Sequence, residues 1–401
     1  MGILKLLFFL IFIFFTSGNL IRVSVTPQVF VYPVDIAIFL FVSYGMFHLL
    51  QKKEKIHWLR PWHYFLIIAA VSLVVNIYWL SLREFYVSSL YLLRIVLYFL
   101  MIPIIKFSFD RKSIRQLFLA IVISLSVTMI GGIVQYFLYP DLRNLMYMGW
   151  DEHLYRVFSS FLDPNFASII FIIGFWLWVM LFQITKTKRS VWYVALVAIV
   201  MFGSAIFLTY SRTGYLAWVV SFIVYAAISK RYKLLIIISA VFIGGIVLLP
   251  KNLQSEGVNL LRTASIGSRI ESYTTAINIW QNNPIIGVGF NTYRYAQEKK
   301  LGNEDSVMVS HAGAGTSNSY LLVLATTGVV GLFIFIYSMA QVLKSIIKSK
   351  KSPARTIAIS VFTVVSIGSL TENVFFYSSI MILTCCLLGI YGLYTKEKSV
   401  Q

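Results

Sequence analysis

The stretch that decides the fold class is VWYVALVAIVMFGSAIFLTYSRTGYLAWVV, residues 191–220. Two apolar runs flank a short polar turn, 209–212, which ends in the fully charged Arg212. An α-helix needs about 20 apolar residues to cross a hydrocarbon core roughly 30 Å thick. The stretch therefore predicts two membrane-spanning helices joined by a turn that carries an arginine.

The rest of the chain repeats this pattern. Of its 401 residues, 59% are hydrophobic and only 12% are charged, too few to cover a soluble core of this size. A β-barrel would instead show alternating segments of about ten residues. We predict an all-α polytopic membrane protein with about twelve transmembrane helices. The predicted spans are approximately 5–20, 30–50, 63–81, 87–106, 116–139, 165–184, 191–209, 214–229, 233–250, 319–343, 355–373 and 377–394.

The net charge of +19 indicates topology. Most of the 34 basic residues fall in alternate short loops, and such loops stay in the cytoplasm. Both termini are therefore expected inside, in a cell inner membrane, with contacts to anionic lipids and none to nucleic acid. We expect transmembrane helices 1–9 within 1–250, a large extracytoplasmic loop at 251–318, and helices 10–12 with a cytoplasmic tail at 319–401.

The polar residues collect on the predicted outer side. Most of the 15 acidic residues lie there, whereas membrane depth holds little beyond Arg94 and Asp35. An ion-coupled transporter would place ionisable groups near the bilayer midplane. The distribution favours an enzyme with an external site, and a transporter of lipid-linked oligosaccharides remains the alternative from another class.

Arg212 lies where a helix is expected to begin, with Ser211 as its N-cap. A helix N-terminus disfavours a cation, unless an anion binds there to both the arginine and the backbone N–H groups. Arg156 precedes a second predicted helix start, in which Asp163 or Asn165 is the cap. Either arginine could instead reach from the membrane interface into water.

The long external segment contains LLRTASIGSRIESYTTAINIWQNNPIIGVGF, 260–290. Ser268 and Glu271 read as a capping box, which would put Arg269 at the first helical position. An amphipathic helix is expected to follow, lying on other helices or in the headgroup layer. Its apolar stripe would comprise Ile270, Tyr273, Ile277 and Trp280. Pro284 and the turn glycines of NNPIIGVGF end the element.

His311 and Asn318 lie before the tenth span. Histidine suits acceptance of a hydroxyl proton near neutral pH, although a lone external histidine is often only solvated. Asn318 is expected either to cap the next helix or to hold a sugar hydroxyl. No spacing typical of a metal site is present, and we expect no metal and no cofactor.

Four stretches resemble the O-antigen ligase and O-antigen polymerase superfamily of bacterial inner-membrane proteins. They are FLDPNFAS, TYSRTGYLA, SRIESYTTAINIWQNNPIIGVGFNTY and TSNSYLLVLATTGVVGLFIF, within residues 156–335. The resemblance implies a glycosyltransferase C-like helical fold with one large external loop. It also implies transfer of a glycan from an undecaprenyl diphosphate carrier to an acceptor hydroxyl without a metal, with Arg212 and Arg269 at the diphosphate.

One departure bears on the reaction. The ligases carry a histidine immediately before the asparagine of the N-x-Y-L block, and this chain has Ser317 there. We therefore expect an inverting polymerase of repeat units, for lipopolysaccharide O-antigen, capsule or exopolysaccharide; a ligase acting on a terminal acceptor such as lipid A-core is the first alternative. A chain-length regulator and a flippase are expected partners. The expected roles are diphosphate binding by Arg212, Arg269 and Arg156, catalysis by His311 or Glu372 as base, and glycan binding by Asn318, Tyr210 and Asn165.

Overall fold

The structure is a computed structural model that describes residues 2–26, 29–51, 61–143, 153–185, 189–250, 256–260, 263–301 and 315–398. Within these ranges the chain forms fourteen α-helices and one two-stranded hairpin, Val23–Thr26 (β1) with Val29–Val31 (β2). The helices are α1 Gly2–Phe15, α2 Pro33–Gln51, α3 His63–Val75, α4 Leu82–Ser108, α5 Arg111–Leu138, α6 Pro164–Ile184, α7 Arg189–Leu208, α8 Arg212–Ser229, α9 Lys233–Leu248, α10 Ala264–Asn282, α11 Tyr293–Leu301, α12 Ser319–Lys348, α13 Pro353–Gly368 and α14 Ser378–Lys398.

Twelve of these helices are apolar, and they fall on the twelve predicted spans. Eight are long and apolar enough to cross a membrane, and α1, α3, α9 and α13 are shorter apolar helices. Helix α9 has no buried residue, and its Ile236 and Leu248 are 74% and 83% exposed. Such a surface suits lipid and not water. The prediction of a polytopic, almost entirely helical membrane protein is confirmed.

The described chain divides into two compact units that interleave in sequence. The first unit comprises residues 1–121, 267–342 and 381–401, and the second comprises 122–266 and 343–380. Neither unit is a continuous stretch of chain. The predicted division at residues 250 and 318, which rests on membrane topology, stays a prediction.

The first unit contains a broken helix. In α12, Gly328 has φ 68° and ψ −172°, which interrupts the helical hydrogen bonds. The loop 284–289 fills the break: the Val288 and Gly289 N–H groups donate to the carbonyls of Ala325 and Thr326, both at 3.0 Å. The Val329 N–H donates to the Pro284 carbonyl at 2.9 Å. The loop thus supplies backbone partners that the break would leave unsatisfied.

Two side chains of the first unit secure this junction from α3 and the turn after it. The Ser72 hydroxyl lies 2.8 Å and 2.7 Å from the carbonyl oxygens of Ile286 and Thr326. The Asn76 amide donates to the Gly287 carbonyl at 3.0 Å. Because Ser72 and Asn76 are both buried, these bonds are shielded from water and the loop is held firmly against α12.

The second unit is built around α6, in which every residue from 167 to 177 is buried. The start of α6 follows the local prediction: Asp163 Oδ1 accepts from the Asn165 and Phe166 N–H groups, and Pro164 occupies the first turn. Phe166 stacks on Tyr377 with ring centroids 4.0 Å apart. The segment after α13 is therefore anchored to the start of α6.

The capping box predicted at Ser268 is wrong. Helix α10 already begins at Ala264, so Ser268 and Glu271 lie inside the helix and Arg269 is in its second turn. The Ile266 N–H bonds to the Thr263 carbonyl at this earlier start. A glycine within a helix costs about 1 kcal/mol, which Gly267 shows to be too little to delay the helix.

The face that α10 buries also differs from the predicted stripe. Ala276 and Ile279 are buried against Val288, whereas Ile270 and Ile277 are 60% and 38% exposed. Helix α10 therefore packs on other helices, as one of the two predicted settings requires, but through a different face from the predicted stripe.

Candidate functional site

Arg212 is the first residue of α8, as the sequence predicts. The Ser211 hydroxyl accepts from the Gly214 N–H at 3.1 Å, which confirms Ser211 as the N-cap. The Arg212 guanidinium donates to the Ser265 hydroxyl, in the first turn of α10. A cation therefore lies at a helix start, where the dipole and the first backbone N–H groups favour an anion.

Arg156 is held in a different environment. It is 4% exposed, and its Nε donates to the Thr209 carbonyl at 2.8 Å. One terminal nitrogen lies 3.4 Å from the Tyr210 carbonyl. These carbonyls follow the C-terminus of α7, where a cation is favoured. Arg156 thus supports the turn that presents Arg212.

Left-handed backbone conformations are concentrated around this turn. Tyr155, Ser159, Leu162 and Tyr210 all have positive φ, between 49° and 58°. Such conformations cost about 1–3 kcal/mol each in residues other than glycine, and they persist only where surrounding contacts enforce them. Their concentration here indicates that surrounding contacts hold the backbone in a conformation that does not itself stabilise the fold, as is common at binding and catalytic sites.

Gln135 of α5 provides much of that enforcement, and our sequence analysis missed it. Its side-chain oxygen accepts from the Phe158 and Ser159 N–H groups at 3.0 and 3.2 Å. Its side-chain nitrogen donates to the Tyr139 carbonyl and lies 3.3 Å from that of Arg156. The available signal was an amide just inside the end of an apolar span, because polar groups within spans are costly and usually functional.

Asn165 and Tyr210 make contacts within the protein. The Asn165 side-chain oxygen accepts from the Ser211 hydroxyl at 2.9 Å, which joins the starts of α6 and α8. Tyr210 is 1% exposed and its hydroxyl donates to the Pro250 carbonyl at 2.6 Å. Burial raises the pKa of Tyr210 well above its usual value. Glycan contacts by both residues stay predictions, because their described bonds are to protein groups.

Glu372 lies just beyond the C-terminus of α13, as predicted. Its N–H donates to the Gly368 carbonyl at 3.0 Å. The neighbouring Thr371 hydroxyl donates to that of Thr213, the residue after Arg212, at 3.0 Å. The second unit therefore brings Arg156, Asn165, Tyr210, Arg212 and Glu372 into one neighbourhood.

Arg269 and Asn318 belong to the first unit. Asn318 Oδ1 accepts from the Tyr320 and Leu321 N–H groups at 2.8 and 3.0 Å, so its predicted capping role at α12 is confirmed. The Ser272 hydroxyl, one turn after Arg269, lies 3.0 Å from that of Thr316. This bond ties α10 to the segment that leads into Asn318.

Two further predictions concern His311 and metals. His311 lies outside the described residues. Among the residues that the structure does describe, no three His, Cys, Asp or Glu side chains are grouped as metal ligands.

The ionisable pair at membrane depth is internally neutralised. Arg94 and Asp35 form an ion pair at 2.8 Å, and the Tyr98 hydroxyl donates to Asp35 at 2.8 Å. Arg94 also donates to the Phe30 carbonyl. The pair ties α4 to α2 and the hairpin before it, a structural role that gives the transporter alternative no support.

The fold and the helix starts define a class: a multi-pass helical membrane protein with an arginine at a helix start beside a braced polar turn. Residues 197–336 match the family described as O-antigen ligase. The match covers about a third of the chain, and in that part the chain is similar to the O-antigen ligases of the polymerase and ligase superfamily. No curated protein sequence matches the chain significantly.

Proposed function

We propose that this protein polymerises oligosaccharide repeat units at the outer face of the cytoplasmic membrane. The donor would be linked to undecaprenyl diphosphate, and the acceptor hydroxyl would belong to another glycan. Both termini would lie in the cytoplasm, with a chain-length regulator and a flippase as partners. Arg212, Arg269 and Arg156 would serve the donor diphosphate, Arg156 by positioning the turn before Arg212.

The observation that carries the proposal is Arg212 at the first position of α8. The Ser211 cap and the Arg156 bonds fix this turn, in which Tyr210 has positive φ, and the Gln135 bonds fix the strained segment 158–159 that follows Arg156. Strained, over-determined backbone is typical of binding and catalytic sites. A diphosphate is the family substrate group whose charge complements both the guanidinium and the helix start.

The reaction would proceed as an inverting displacement. The acceptor oxygen attacks the anomeric carbon, the bond from that carbon to the diphosphate oxygen breaks, and its electron pair leaves with the diphosphate. The hydroxyl proton passes to a base, for which His311 and Glu372 are the candidates.

Arginines can stabilise the charge that develops on the leaving group without a metal. At an effective dielectric near 20, a cation about 4 Å away contributes roughly 4 kcal/mol of interaction. Only the part of that interaction gained in the transition state accelerates the reaction, tenfold for each ~1.4 kcal/mol.

A ligase is the second candidate function. The matched family description, O-antigen ligase, favours it, whereas Ser317 in place of the ligase histidine favours the polymerase. Cells lacking the protein would distinguish the two reactions. Accumulation of single carrier-linked repeat units would support the polymerase, and accumulation of long unattached chains would support the ligase.

The direct test uses purified protein and the carrier-linked oligosaccharide that accumulates in the deleted cells. We expect Arg212→Ala and Arg269→Ala each to abolish long products while membrane insertion stays normal. A chelator such as EDTA should leave the wild-type rate unchanged. Arg115→Ala, at an exposed arginine of α5, is the charge-matched control. Near-normal product length in both site variants would refute the proposal.

A further inference from the structure

Helix α11 of the first unit presents two polar side chains with unsatisfied buried atoms. Arg294 and Gln297 are three residues apart and therefore share a face. In the described structure, Arg294 Nε and Gln297 Oε1 are both buried without a hydrogen-bond partner. Each side chain keeps a partly exposed remainder, so a ligand could reach it.

This arrangement is unfavourable for the protein alone. Burial lowers the pKa of Arg294, and the opposing effects of Tyr295 and Glu298 do not restore it. Buried polar groups are satisfied in the great majority of cases, so each exception calls for a physical explanation. A purely structural helix would gain by placing apolar residues at these positions.

The helix that carries the two side chains is itself well anchored. Tyr293 is 2% exposed and packs in a core with Ala276 and Ile279. On another face, the Lys299 ammonium lies 4.5 Å from the centre of the Trp79 ring. Arg294 and Gln297 are therefore held in place by the scaffold, as a preorganised binding site requires.

The chemistry of the pair selects a class of ligand. A guanidinium only donates hydrogen bonds and an amide oxygen only accepts them. A sugar hydroxyl does both, so two vicinal hydroxyls can satisfy Arg294 and Gln297 together. A diphosphate offers acceptors alone, and it would also approach the carboxylate of Glu298, whose charge already acts on Arg294.

We propose that Arg294 and Gln297 form a saccharide subsite, separate from the arginines assigned to the diphosphate. The subsite would bind vicinal hydroxyls of the acceptor oligosaccharide. This inference rests on the proposed glycan-transfer function and adds the residues that recognise the sugar.

The test replaces each side chain by an apolar one of similar size, Arg294→Met and Gln297→Met. We expect KM for the acceptor oligosaccharide to rise about tenfold or more in Arg294→Met, which loses a charge-assisted hydrogen bond. The rise should be smaller in Gln297→Met, which loses a neutral hydrogen bond, and kcat should change far less in both variants. The thermal midpoint in detergent should stay equal or rise, because an unsatisfied polar group is removed. Arg294→Lys should recover part of the affinity. Arg115→Ala, at an exposed arginine of α5, is the control.

A binding measurement separates sugar from diphosphate recognition. Two probes are used: the oligosaccharide released from its carrier by mild acid, and undecaprenyl diphosphate without sugar. The first should raise the midpoint of the wild type and not of Arg294→Met, and the second should act on both alike. Three results would each overturn the subsite. The first is an unchanged KM for the acceptor, and the second is a thermal midpoint that falls in parallel with activity. The third is an Arg294→Met protein that loses only the midpoint shift caused by undecaprenyl diphosphate. If the wild-type protein were inactive with every lipid-linked donor, the proposed function would be refuted. The binding measurement would still test the subsite in that case.

Discussion

Two arginines of the second unit show how position along a helix sets the role of the same side chain. Arg156 is buried against carbonyls that follow the end of α7, so its charge is compensated by the protein. Arg212 begins α8, where the helix dipole opposes its charge. Stability therefore depends on Arg156, whereas Arg212 is suited to binding an anion.

This difference predicts opposite outcomes for the two alanine variants. Arg156→Ala should lower the free energy of unfolding by about 1.5–3 kcal/mol, because it strands the Thr209 and Tyr210 carbonyls. Arg212→Ala should leave stability nearly unchanged while slowing transfer by about 100-fold or more. Thermal unfolding in detergent and initial rates measure the two effects. If Arg156→Ala were stable but inactive and Arg212→Ala were unstable, the structural role would belong to Arg212 and the anion-binding role to Arg156.

Residue-scale features could be predicted where the chemistry is local. The N-caps Ser211, Asp163 and Asn318 follow from a side chain and the two or three residues after it. The left-handed conformation of Ser159 could not, because the Gln135 side chain that binds its N–H lies 24 residues away.

At the scale of elements, the spans could be predicted and the break in α12 could not. LATTGVVGL, 324–332, reads as continuous apolar helix. The break at Gly328 exists because loop 284–289 supplies backbone partners from elsewhere in the chain. Hydropathy predicts that a segment lies in the membrane, but it does not predict which groups its backbone N–H and carbonyl groups bond to.

Gly328→Ala tests this junction. The residue has positive φ, and a Cβ there would overlap the Ile285 carbonyl. We expect a loss of more than about 1 kcal/mol of stability. Gly267→Ala is the matched control, because Gly267 lies inside α10 with open space around its Cα. It should be neutral or stabilising by about 0.5–1 kcal/mol. Equal unfolding midpoints for the two variants would argue against the junction.

At the scale of the molecule, twelve apolar helices place both termini on the same side if every one of them spans. We expect Asn282→Cys to react with an impermeant maleimide in intact cells, and Lys350→Cys only after permeabilisation. Both positions are exposed, whereas the native Cys385 and Cys386 are buried and should stay unlabelled. The reverse labelling pattern would invert the topology and refute an extracytoplasmic site.

The dependence of α12 on loop 284–289 also bears on biogenesis. Loop 284–289 precedes α12 in the chain, so it is synthesised before the break at Gly328. When α12 enters the membrane, the backbone groups at the break can therefore form hydrogen bonds with the loop at once. A chain with the loop transplanted behind α12 would lose that advantage, and pulse labelling should then reveal its rapid degradation by membrane quality control.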